Sequence, residues 1–298
     1  MDVLSFLAPP FAACVVLVGI LGYLGLHVLL RGVIFVDLAL AQIVAMGAVI
    51  AFFFGFEHGT PQSFAISLAA AVVAAAIFSG SRMRHARVPQ EAIIGITYVV
   101  ASAATILVAD RAPEGAEHIK ELLAGTIIWV TWPTVFKVFR ICATVGVLYY
   151  LLRRKFHLIS EDPERAFEQG VKVRLWDFLF YVLFGLVITV SVEIAGVLMV
   201  FAYLVAPAII ALASRSGWGL RIGMAWLVGV TASAMGLLAS YRWDLPSGPA
   251  IVCGLGLLLL VFAIMRSLRP ALTPRKARRR GSGAKRQSKA AGSAAPRS

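Results

Sequence analysis

Apolar runs of about twenty residues alternate with short polar breaks along most of the chain. Twenty residues of α-helix are about 30 Å long, the thickness of a bilayer's hydrocarbon core. Such runs fall at about 11–30, 33–54, 63–78, 91–109, 133–152, 220–240 and 251–265. Strict apolar/polar alternation in ten-residue segments, which a membrane-spanning barrel needs, is absent. One stretch, 175–212, is apolar almost without interruption and too long for a single crossing.

The distribution of Lys and Arg resolves that stretch. If two spans, 175–192 and 194–212, meet near Glu193–Gly196, twenty-three of the 28 Lys and Arg fall on one side of the membrane. These are Arg31, the 82–87 cluster, the 153–174 loop, Arg215, Arg221 and the C-terminal stretch from Arg266 to Arg297. The other five are Arg111, Lys120, Lys137, Arg140 and Arg242. A single span would move the tail to the opposite side, against the positive-inside rule. The expectation is an all-α polytopic membrane protein of about nine transmembrane helices, with its N-terminus outside and its C-terminus in the cytosol. Residues 1–268 form the transmembrane domain, with a cytosolic loop at 153–174. Residues 269–298 are a basic tail too poor in apolar residues to fold, either lying on anionic lipid or simply solvated.

Composition supports this class. The 298 residues are 60% hydrophobic and 14% charged, against about 25% charged in soluble proteins. The net charge of +13 does not signal nucleic-acid binding, because 11 of the 28 basic residues lie between Arg266 and Arg297 and most others in short loops. Cys14, Cys142 and Cys253 stand alone in apolar sequence and suggest neither a disulfide frame nor a thiolate metal site. No basic region precedes the first apolar run, so a cleaved signal peptide is not expected.

The polar stretch 153–174, RRKFHLISEDPERAFEQGVKVR, holds a short helix with both ends marked. Asp162 suits the N-cap and Pro163 the first helical position. Glu164 complements the helix dipole and Gly170 supplies the stop. A compact helix in a cytosolic loop is either a docking element for a soluble partner or an ordinary amphipathic loop helix. The sequence has no Walker A, HExxH or GxSxG motif. Gly281 opens GSGAKRQS, which lacks the GK[ST] ending. Transport driven by ATP therefore requires a separate ATPase subunit, and the loop helix is where it would bind.

Four stretches, LLRGVIFVDLALAQIVAMG (29–47), EAIIGITYVVASA (91–103), SEDPERAFEQG (160–170) and EIAGVLMVFAYLVAPAIIALAS (193–214) with YRWDLPSGPAIV (241–252), occur in this order and cover nearly the whole chain outside the tail. In this they resemble the permease subunit of the zinc/manganese-type metal ABC importers. The resemblance implies a type II ABC importer-like bundle in a bacterial or archaeal plasma membrane, working as a homodimer. It implies ABC ATP-binding subunits below, an extracytoplasmic metal-binding protein above, and a divalent metal, zinc before manganese or iron, as cargo. No cofactor is expected in this chain, since ATP belongs to the partner. Asp162, Pro163, Glu164, Arg165, Phe167 and Gly170 then form the coupling segment, with Phe167 and Ala166 as its apolar key.

The cargo path departs from the family's pattern of an Asp and a His four apart in the second helix. Aligned on Gly47, those positions are Leu38 and Gln42, and Asp37 is one residue out of register, about 100° round the helix. Gln42 offers a neutral carbonyl oxygen, a poor zinc ligand. A non-metal cargo, or a membrane scaffold that transports nothing, stays open on these residues. Asp37 is either on the path, as intramembrane carboxylates tend to be, or paired with Arg31 one turn away. Glu193, at the outer turn, either lines the mouth of the path or caps a helix. His27 reads as a satisfied core histidine or a path residue, and Glu91 as a residue matched to its helix dipole. Glu114, Glu117, His118 and Glu121 share one face if the outer loop is helical. That face attracts cations or the binding protein, or is merely solvated.

Overall fold

The computed structural model of the chain describes residues 3–57, 59–82, 89–111, 125, 127–214 and 217–268. The expected tail and the acidic face Glu114, Glu117, His118 and Glu121 lie outside the described residues, as do Arg84, Arg87 and Arg215. The elements are α1 (Val3–Arg31), α2 (Val36–Phe53), α3 (Pro61–Ser81), α4 (Gln90–Ala109), a 3₁₀ turn (Ile127–Trp129), α5 (Trp132–Glu161), α6 (Pro163–Glu168), α7 (Val173–Leu212), α8 (Trp218–Trp243) and α9 (Ser247–Leu268). All described regular structure is helical. Eight of these helices are long and apolar enough to cross a membrane.

The 40-residue α7 supplies the ninth crossing. Straight, it would be about 60 Å long, twice the hydrocarbon thickness. It breaks at Gly196, whose φ of 73° and ψ of 161° are non-helical and open only to glycine without strain. The two halves run back on each other. Asp177 bonds Arg31 at the C-terminal end of α1, while Ala208 and Ala211 pack with Leu26, barely a turn and a half away. A straight helix would hold Asp177 and Ala211 about 50 Å apart. The break predicted near residues 193–196 is therefore a helical reversal.

The bundle has a basic end and an opposite end. The basic end holds Arg31, Arg82, Ser160 and Asp177. At the opposite end Glu193 lies beside Gly59 and Lys137, and Gly125 packs on Ala195. Between them α2 and α7 form the interior, each burying 72% of its most apolar stretch, whereas α4 buries 22% of its own. Ile96, Val99, Val100, Ile106 and Leu107 of α4 are exposed, the surface expected of a helix facing lipid or a second subunit. Close approach of α1 to the interior uses the small residues the sequence placed there. Gly22 meets Ala225 and Trp226, and Gly25 lies against the Leu204 backbone.

Several helices outrun their apolar spans. The fifth span, expected at 133–152, belongs to a helix that continues to Glu161. Arg153, Arg154 and Lys155 end the apolar stretch but are good helix formers, so they mark where the membrane surface falls and leave the backbone helical. α1 likewise starts at Val3 and includes Pro9 and Pro10. The described residues up to 260 form one compact unit, and 261–268, the end of α9, fall outside it.

Candidate functional site

The loop helix α6 is built as its sequence indicates. Asp162 Oδ1 accepts the Arg165 backbone N–H at 3.0 Å, and Pro163 occupies the first turn. At the other end the Gly170 N–H donates to Phe167 O and the Val171 N–H to Ala166 O, both at 3.0 Å. This paired closure needs a left-handed residue, and Gly170 has φ 69°. One turn and a half of helix would not hold alone. It is fixed to its own chain by Ala166, which is fully buried with Ile159 and Val173, with Phe167, Val171 and Trp176 packed around them. This corrects the expected placement of Ala166 in an apolar key facing a partner: it anchors α6 inward. Phe167 is half-buried on the same cluster. The free surface of α6 is polar: Asp162, Glu164, Arg165 and Glu168 are exposed, as are the flanking Glu161 and Gly170.

At the two ends of the loop that carries this helix lies a buried charge cluster. Arg31 Nη1 donates to Asp177 Oδ1 at 2.5 Å, and both side chains are wholly buried. Arg82 Nη1 approaches Asp177 Oδ2 at 3.1 Å. Arg31 Nε donates to Ser160 Oγ at 2.9 Å, and its guanidinium lies 3.9 Å from the centroid of the Phe180 ring. His27 Nδ1 shares the Ser160 hydroxyl at 2.8 Å, so His27 is satisfied on that side. An aromatic stack closes over it: His157 lies flat on Trp218, centroids 4.0 Å apart, and the Trp218 indole N–H donates to Glu161 Oε1 at 2.6 Å. Sequence reasoning missed Asp177. The available signal was an acid in the apolar run LWDFLF, on the side of the membrane where the arginines gather.

The three residues expected on the cargo path are not brought together. Asp37 sits in the first turn of α2 at the basic end, completely buried, and neither of its carboxylate oxygens has a hydrogen-bond partner among the described residues. Arg31 is not its partner, being held by Asp177 and Ser160. Gln42 is half-buried five residues on, about 140° round the helix from Asp37. Glu193 is at the opposite end, roughly the length of the 18-residue α2 away, about 27 Å. It pairs with Lys137 at 3.6 Å, with both side chains partly exposed. Glu91 is more than a dipole-matched residue: its Oε1 accepts the Ile34 N–H at 3.2 Å and so holds the turn that leads into α2. Among the described residues no three His, Cys, Asp or Glu side chains are grouped to hold a metal ion.

Nine apolar segments and a capped helix at the basic end describe a polytopic helical membrane protein. The family model of the ABC 3 transport family matches residues 3–266, and the chain belongs to that family. It is 25% identical over 275 residues to the chelated iron transport system membrane protein YfeD of Yersinia pestis, covering 89% of this chain and 90% of that one. It is 27% identical over 242 residues to the manganese transport system membrane protein MntC of Listeria innocua, covering 80% and 82%. Its fold is similar to that in the structure of PsaBC from Streptococcus pneumoniae in complex with Fab, with a TM-score of 0.74, 23% identity and 88% and 93% of the two chains covered.

Proposed function

We propose that this chain is the permease of an ABC importer for a divalent first-row metal ion, set in a bacterial or archaeal plasma membrane. It works as a homodimer on two separate ATPase subunits and receives its cargo from an extracytoplasmic metal-binding protein. Family membership supports the permease role. The observation that carries the cargo class is Asp37, a buried carboxylate with no partner among the described residues. A charge without a structural partner inside a membrane bundle is costly, and a passing cation is what offsets that cost. Asp37 offers carboxylate oxygen, a donor that suits manganese better than zinc. The relatives named for manganese and iron agree with that order.

In this reading α6 seats its polar face, Asp162, Glu164, Arg165 and Glu168, in a groove of the ATPase. ATP binding closes the ATPase pair, the loop helices move, and the bundle exchanges an outward-open for an inward-open state. Glu193 marks the outer mouth, where Lys137 must yield it before it can meet a cation. The test is uptake of radioactive manganese, iron and zinc into vesicles holding the chain with its ATPase and binding protein. ATP-dependent manganese or iron uptake that Asp37→Asn lowers tenfold or more is the expected result. Wild-type vesicles that accumulate none of the three metals would overturn the cargo assignment.

A further inference from the structure

The buried charges at the basic end occupy telling places in the chain. Ser160 lies two residues before the cap of α6, and Asp177 lies one turn into α7. Together they bracket the loop that carries the coupling helix. Arg31, the last residue of α1, bonds both at once, through Nε to Ser160 and through Nη1 to Asp177. The turn through Gly32 leads straight from Arg31 into α2, whose second residue is Asp37. Glu91 fastens this turn through the Ile34 N–H, and Arg82 ties the end of α3 to the same Asp177.

We propose that Arg31 is the positioning residue through which the coupling helix moves the second span; the inference rests on the importer reading above. A guanidinium is a rigid planar fork whose N–H directions are fixed relative to one another. It cannot follow Ser160 without carrying Asp177, and swinging away from either would strand buried polar atoms without a partner. Displacement of α6 therefore shifts both bases of its loop, and the fork delivers that shift to the junction of α1 and α2, next to Asp37. Phe180 covers one face of the guanidinium. Lysine, a point charge on a flexible stem, keeps the charge and loses the two-point grip.

The test places a spin label at one of two exposed positions, Gln169→Cys at the end of α6 or Phe35→Cys at the α1–α2 junction, in a Cys253→Ala background; Cys14 and Cys142 are buried. Each labelled chain is reconstituted with its ATPase subunit, and the spectral change on adding ATP is recorded. In the parent both labels respond. In Arg31→Lys and in the milder Ser160→Ala the Gln169 label responds as before, while the response at Phe35 falls at least about fivefold, a typical coupling factor. Metal taken up per ATP hydrolysed falls with it. A full Phe35 response in Ser160→Ala overturns the proposal, even if Arg31→Lys does not fold. A parent in which Gln169 responds and Phe35 does not overturns it while leaving ATPase docking intact. A parent in which Gln169 is silent removes the docking reading and this inference together.

Discussion

Two carboxylates at the same end of the bundle are equally buried and entirely different in company. Asp177 holds Arg31 and Arg82. Asp37, the first charged residue after Arg31 in the sequence, holds no side chain among the described residues. Either arginine would satisfy a carboxylate, and both go to Asp177. A buried ion pair contributes little net stability, because desolvation offsets most of its attraction, but removing one partner strands the other. Asp177 is thus needed to hold three helix ends in register. Asp37 has no comparable partner among the described residues, and the proposed importer function gives it a role outside the fold, as a ligand to a cation in transit.

The sharpest way to break this comparison is to delete each carboxylate. Asp177→Ala leaves Arg31 buried without its counter-charge and is expected to destabilise the chain by about 3–5 kcal/mol, measured as loss of the folded fraction in detergent. Asp37→Asn removes an uncompensated charge while keeping the shape; its stability stays within about 1 kcal/mol of wild type or rises. Equal destabilisation by the two substitutions would mean that Asp37 has a structural partner after all. The contrast extends to α6, where the charge is exposed and acts as a cap. Asp162→Ala is expected to cost about 1 kcal/mol of helix, read as roughly fivefold weaker binding of the ATPase subunit. The smallest effect belongs to the opposite end. Glu193→Gln breaks a partly exposed pair with Lys137 and should change stability by less than about 1 kcal/mol, an effect that shrinks further in high salt.

The sequence alone determined the membrane class, the number of crossings and the ends of α6. Each of these rests on short-range rules: span length against bilayer thickness, Lys and Arg against membrane side, cap residues against the backbone groups they satisfy. Even the reversal inside the apolar run 175–212 was recoverable, because charge bias counts crossings without knowing where the chain turns. Only the tertiary structure decided which charges meet. Arg31 lies six residues from Asp37 and 146 from Asp177, and proximity in sequence pointed to the wrong partner. On α1 and α2 those near neighbours are separated by the turn through Gly32, while the reversal of α7 and the extension of α5 bring Asp177 and Ser160 to the end of α1. Ala166 gives the same lesson on a smaller scale. Its helix was legible, but the direction it faces was set by packing on Ile159 and Val173. Long-range pairing depends on how helices cross, and no local spacing encodes that.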